Sequence, residues 1–214
     1  MTEVTTVVTD YLLSGLAFVL GSRLARANTG NDSATRLWVG ALRAAGLASL
    51  AGGTWHGLEA SLGPVAGAVL WRLTMVAVGA SGLFLLGATI AGAGPPGAVR
   101  SWRLALVGVW VAYAGWVCLI DSGFVWAIMV YGAAMAVALV LQVGRAMRGA
   151  QGSRTIIAGL LLSFLGAGIQ QSGLSLSASF NHNDLYHVVK MVAIYLFYKG
   201  ALPAADVSYD RAQL

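Results

Sequence analysis

The sequence predicts an all-α integral membrane protein that crosses the bilayer seven times as a single domain over residues 1–214. Three observations predict this class: 58% of the residues are hydrophobic, only 10% are charged, and the mean hydropathy is +0.76. Ordinary soluble domains contain about 25% charged residues. The alternating pattern of a membrane β-barrel strand is absent from the sequence, so we expect a helical bundle.

Seven apolar stretches are long enough to cross a membrane. A helix needs about 20 mostly apolar residues to span ~30 Å of hydrocarbon. In chain order, the predicted helices cover residues 5–24, 37–58, 66–92, 102–120, 124–147, 155–174 and 184–202. The breaks between them are rich in Gly, Ser, Asn and Pro, which interrupt helices, and they include residues 26–36, 61–64, 94–100, 148–154 and 175–183.

The net charge of +5 is distributed unevenly over the two faces of this predicted bundle. All Lys and Arg residues except Arg72 and Lys190 fall on one side of a seven-span chain. Basic residues accumulate on the cytoplasmic side of membrane proteins, so we expect an outer N-terminus and a cytoplasmic C-terminus. The Lys and Arg residues therefore indicate the membrane topology and do not form a binding surface for a polyanion. We expect no nucleic-acid partner. We expect the plasma (inner) membrane of a bacterium, with membrane lipid around the chain; the oligomeric state is left open.

The chain contains three histidines, and this topology places all of them at the outer face. His56 lies near the end of the second predicted helix, whereas His182 and His187 lie at the start of the seventh. Three protein ligands with an open position for water are typical of catalytic zinc, so the pattern predicts a zinc site. His182 and His187 are five residues apart, about 140° around a helix, so His182 should precede the helix to share the metal. Asp184 is the alternative third ligand.

Polar residues near the histidines could supply catalysis. Glu59 follows His56 by three residues on one helical face, where it could be a second metal ligand, orient the histidine or act as a general base. Asp184 could also move the proton, although Asn and Asp at this place equally suit a cap of the seventh helix. An oxyanion would be stabilised by one of three side chains: Lys190, Gln170 or Ser49.

Two short motifs carry a family resemblance. His56 at the end of the second helix and Asp184-Leu185-Tyr186-His187 at the start of the seventh resemble the CREST superfamily of seven-helix membrane hydrolases and receptors, which includes the alkaline ceramidases and progestin/adipoQ receptors. The family pattern has Ser four residues before the first histidine, where this chain has Gly52, and a second His where it has Asn183. The resemblance implies an integral membrane, zinc-dependent hydrolase that cleaves an amide or ester of a small lipid-like substrate.

Two other function classes stay open. A lysine in the seventh helix, here Lys190, resembles the retinal attachment site of rhodopsins, although the third predicted helix has no carboxylate counterion. Retinal would be the cofactor under that alternative only. A non-enzymatic transporter or sensor would instead use the buried ionisable residues as a proton or ion relay, without a metal.

Overall fold

The structure is a computed structural model that describes residues 4–30, 32–94, 99–177 and 179–211. Over these residues the chain forms seven α-helices, so the predicted all-α class and the number of helices are confirmed. In order they are α1 (Val4–Ala27), α2 (Ser33–Leu58), α3 (Pro64–Ala93), α4 (Val99–Leu119), α5 (Phe124–Met147), α6 (Ser153–Ser172) and α7 (His182–Arg211).

Capping side chains decide where α2 and α7 begin. α2 starts before residue 37, the predicted start, because the Asp32 carboxylate accepts a hydrogen bond from the Thr35 N–H at 2.7 Å. α7 starts at His182, where the Asn181 side-chain oxygen accepts from the Asn183 N–H at 2.8 Å. His182 is thus the first residue of the helix and does not precede it.

Five of the described helices are long and apolar enough to cross a membrane: α1, α3, residues Ser101–Leu119 of α4, α5 and α6. This composition indicates a membrane protein. The other two helices, α2 and α7, contain most of the polar side chains that line the cavity described below. Polar residues that would be costly against lipid are therefore collected inside the bundle. The direction in which the chain crosses the membrane stays a prediction from the distribution of charge.

Successive helices run in opposite directions, so the N-terminal ends of α1, α3, α5 and α7 meet the C-terminal ends of α2, α4 and α6. We call this the histidine end, because it holds His56 and His182. Three hydrogen bonds join neighbouring elements at this end: Tyr11 Oη with Thr54 Oγ1 at 3.1 Å, Trp71 Nε1 to the Ser122 carbonyl at 2.8 Å, and Gln170 Nε2 to Asn183 Oδ1 at 3.5 Å.

The largest apolar core lies toward the opposite end of the bundle. Its fully buried members include Leu85 and Met135, and the rings of Trp38 and Phe197 stack there with centroids 5.7 Å apart. Because lipid is as apolar as leucine, close packing holds membrane helices together. The core thus provides a rigid base on which the polar residues of the histidine end are positioned.

Candidate functional site

A cavity of about 320 Å³ lies between six helices near the histidine end. Its volume is at the lower end of the range for small-molecule pockets, roughly 300–1,000 Å³. All three histidines of the chain line it: His56, His182 and His187. Ser49 and Gln170 line it as well. The structure therefore brings the three histidines, Ser49 and Gln170 into one cavity.

His187 has a partner on each of its ring nitrogens. Nε2 lies 3.2 Å from Oδ1 of Asp10, and Nδ1 lies 2.9 Å from the hydroxyl oxygen of Thr9. The Asp10–His187 pair is buried, with 8% of the imidazole side chain and 6% of the carboxylate side chain exposed. Both partners belong to α1. Thr9 and Asp10 follow Thr6 by three and four residues, so the three side chains lie on the same side of this helix.

A second carboxylate, that of Asp184, lies behind His187 and is not part of the cavity wall. Its Oδ1 accepts a hydrogen bond from the Thr6 hydroxyl at 2.9 Å and lies 3.5 Å from the Thr9 hydroxyl. Its Oδ2 accepts the Asn181 N–H at 2.7 Å, which caps the first turn of α7. Asp184 therefore stabilises the start of α7, and hydrogen-bonding groups connect it through Thr9 to His187.

α2 brings Ser49 to Asp10 at a point where two helices approach closely. The side chains of Ser49 and Asp10 line the same cavity. A Cβ atom at Gly53 would lie only 2.8 Å from the Asp10 Cβ, whereas one at Gly52 would meet Thr74 Cγ2 at an ordinary 3.5 Å. The absence of a side chain at Gly53 therefore sets the separation of α1 and α2 beside the site.

Lys190 is buried on the wall of the cavity among neutral groups. Its Nζ donates hydrogen bonds to the Tyr131 hydroxyl and, at 3.4 Å, to the Ser163 hydroxyl. The same nitrogen lies 4.4 Å from the centroid of the Tyr131 ring and 6.0 Å from that of Phe197, within cation–π range. In the described part of the chain, the ammonium group has no carboxylate partner. Neutral oxygens and ring faces hold it instead.

Aromatic rings form another wall of the cavity. Trp55 and Trp71 have ring centroids 4.9 Å apart, and Trp71 and Phe124 have theirs 6.0 Å apart. All three side chains line the cavity, which is therefore polar along α1 and α7 and aromatic along α2, α3 and the start of α5. Such a space suits a ligand with one polar group and an apolar body.

The structure does not bring Glu59 to this cavity. Glu59 is the C-cap residue of α2, is exposed, and does not line the cavity, although it follows His56 by three residues. Its backbone is still helical, with φ −47° and ψ −45° and the N–H bonded to the Trp55 carbonyl, so the spacing from His56 holds but does not bring the carboxylate to the cavity. Its predicted role as a base or ligand orienter thus has no geometric support.

The donor atoms at the cavity do not form a zinc site as they are arranged here. Among the residues that the structure describes, no group of three or more His, Cys, Asp or Glu side chains is placed to hold a metal ion. Both ring nitrogens of His187 face protein partners, and His182 lies inside α7, where its spacing from His187 opposes a shared metal. Zinc at this cavity therefore stays a prediction from the sequence.

Sequence reasoning missed several residues of the site. Thr9 and Tyr131 belong to no recognisable motif. Hydroxyl side chains are common in apolar helices, so their presence alone does not indicate a site. Asp10 offered a signal, because it is the carboxylate inside the first apolar stretch, and charged groups at that depth are rare. Its partner could not be read from the chain, because no spacing rule relates the first helix to the seventh.

Comparison with protein families gives one assignment. Residues 5–206 match DUF6962, a family of unknown function, and the chain belongs to this family. The match covers all seven helices apart from the ends of α1 and α7. Comparisons with curated proteins and with solved structures gave no match.

Proposed function

We propose that the protein is a membrane transporter or sensor that binds a small molecule in the cavity and exchanges a proton through the Asp10–His187 pair. The observation that carries this proposal is the pair itself: a carboxylate and an imidazole, 3.2 Å apart and buried, on the cavity wall. Buried ionisable groups in membrane proteins are costly and mark ion pathways and proton relays. The proposal includes the orientation predicted from charge, with the cavity toward the outer face of a bacterial inner membrane.

The hydrogen bonds of His187 allow more than one proton arrangement. If the Thr9 hydroxyl donates to Nδ1, then Nε2 carries the proton and donates to an ionised Asp10. If Nδ1 carries the proton and donates to Thr9, then Nε2 accepts from a neutral Asp10 or carries a second proton. These arrangements differ by a proton moved across the pair or taken up from the cavity. The pair can therefore gain or lose a proton without losing its hydrogen bonds.

Other titratable groups surround the pair and influence which arrangement is stable. They come from three helices: Asp184, Tyr186 and Lys190 of α7, His56 of α2 and Tyr131 of α5. Charges interact more strongly away from water, so a charged or strongly polar ligand in the cavity will change the protonation of the pair. Binding and proton exchange are thereby linked.

Calorimetry on the purified full-length chain tests the proposal. Ligands are first found by thermal stabilisation, and the binding enthalpy is then measured in buffers that differ in ionisation enthalpy, which gives the number of protons exchanged. We expect a linked proton in the wild type and in the control His182→Gln, with a chelator present. We expect none in Asp10→Asn or His187→Gln. Binding that requires a metal, or that exchanges no proton in the wild type, refutes the proposal.

A second candidate function is the zinc-dependent, CREST-like hydrolysis of an amide or ester in a lipid-like substrate. One observation favours it: the three histidines and Ser49 line a single cavity. Metal analysis by mass spectrometry on wild type, His56→Ala and His187→Ala decides this candidate. Near-stoichiometric zinc in the wild type alone supports it, and a wild type without zinc eliminates it. A visible absorption band lost in Lys190→Ala would instead indicate bound retinal.

A further inference from the structure

We infer that the ligand of this cavity is a small acid whose carboxylate is received by Lys190 and Tyr131. The inference rests on the proposed ligand-binding function and adds the chemical class of the ligand. Two features of the structure carry it: the hydrogen bonds that Lys190 and Tyr131 leave unfilled, and the aromatic surface that faces the remaining volume.

The carboxylates near Lys190 are engaged elsewhere. Asp10 contacts His187, and both oxygens of Asp184 are occupied by hydroxyl and backbone donors. Lys190 itself is 6% exposed and lines the cavity. The charged form of a buried lysine is unfavourable without an anion, so an anionic group that enters the cavity would favour the ammonium of Lys190 and be stabilised beside it.

The hydrogen-bond donors at this point are incompletely used. The ammonium of Lys190 has three hydrogens, and the hydroxyls of Tyr131 and Ser163 accept two of them. The Tyr131 hydroxyl accepts from Lys190, and its own hydrogen has no acceptor among the described residues. Ser163 differs, since its hydroxyl donates to the Gly159 carbonyl at 2.9 Å. Lys190 N–H and Tyr131 O–H therefore offer two adjacent donors, which match the two oxygens of a carboxylate.

The rest of the cavity defines the body of the ligand. Trp55, Trp71 and Phe124 give an aromatic surface, which favours an apolar or aromatic skeleton. A volume of about 320 Å³ accommodates one or two fused rings or a medium-length alkyl chain, and it is too small for a lipid with two acyl chains. The class that fits is a small carboxylic acid with an apolar body.

Two nearly isosteric probes test this assignment: 2-naphthoate, which is an anion, and 2-naphthamide, which is neutral. Binding is measured by calorimetry on the full-length chain in lipid nanodiscs, with empty nanodiscs as the blank. We expect naphthoate to bind about tenfold to a hundredfold more tightly, the effect of one or two charge-assisted hydrogen bonds. Lys190→Met should abolish this preference, because it weakens the binding of naphthoate more than that of naphthamide. Lys199→Met, the matched control at the other lysine of the chain, is exposed on α7 and should keep it.

Each other outcome is decisive. Equal affinity of the wild type for acid and amide overturns the inference while leaving ligand binding intact. Binding of neither probe, nor of benzoate and octanoate with their amides, also overturns it, and the linked-proton measurement then decides the proposed function alone. If Lys190→Met does not fold, Tyr131→Phe replaces it, because this variant removes one donor and should weaken the binding of naphthoate more than that of naphthamide. An unchanged acid preference in Tyr131→Phe then overturns the inference.

Discussion

Replacing Gly53 with alanine tests the close approach of α1 and α2 that places Asp10 beside Ser49. The new Cβ would lie 2.8 Å from the Asp10 Cβ and 3.2 Å from the Tyr11 ring, inside the 3.4 Å at which ordinary contact begins. The Asp10 Cβ is fixed to the backbone and cannot rotate away, so the two helices must separate. Overpacking of this kind costs about 1–3 kcal/mol of the free energy of unfolding.

Gly52→Ala is the matched control, because its Cβ would meet Thr74 at 3.5 Å without a clash. Both variants are unfolded by denaturant in the same detergent, and the free energies of unfolding are compared with that of the wild type. We expect Gly53→Ala to lose about 1–3 kcal/mol and Gly52→Ala to stay within about 1 kcal/mol of the wild type. Equal stability of the two variants would show that α1 and α2 do not depend on Gly53 for their close approach.

Three further predictions concern other hydrogen bonds. Thr9→Val keeps the side-chain shape and removes a hydroxyl partner of His187, so we expect a loss of about 1–3 kcal/mol in the same unfolding assay; no loss contradicts the contact. Tyr113→Phe removes the hydroxyl that joins α4 to a carbonyl of α3 at 2.8 Å, with an expected loss of about 1 kcal/mol. Between α4 and α5, the Trp126 indole and a backbone N–H lower the pKa of Asp121, a stabilisation present at neutral pH and lost on acidification. Trp126→Phe should therefore raise that pKa toward its ordinary value, and an unchanged carbon-13 NMR titration of Asp121 would contradict this.

Helices and short-range neighbours could be predicted from the sequence because both depend on local properties. Apolar length identified each helix, and the range predicted for the fifth, 124–147, coincides with α5 (Phe124–Met147). Ser49 and His56 are seven residues apart, which is two turns of a helix, and both line the cavity. Asp184 and His187 are three residues apart, a spacing that makes helical residues neighbours, and both contact the Thr9 hydroxyl.

Contacts between helices distant in the chain could not be predicted in the same way. The pairing of Asp10 with His187 depends on how α1 packs against α7, and periodicity within one helix says nothing about its neighbour. Glu59 shows the reverse case: its backbone keeps the helical spacing from His56, yet its side chain is exposed and does not line the cavity. Lys190, which the sequence singled out, lines the cavity. Its hydroxyl partner Tyr131 comes from another helix, and no motif in the sequence identifies that tyrosine.

The most direct test of the account is the pH titration of the histidine side chains by NMR. Nitrogen-15 labelling of histidine in the full-length chain gives signals from only three side chains, which single His→Gln variants assign. We predict that Asp10→Asn changes the titration of His187, with no effect of added zinc. A His187 titration that is the same with and without the Asp10 carboxylate, or zinc-dependent shifts of all three histidines, would contradict the proposed proton exchange.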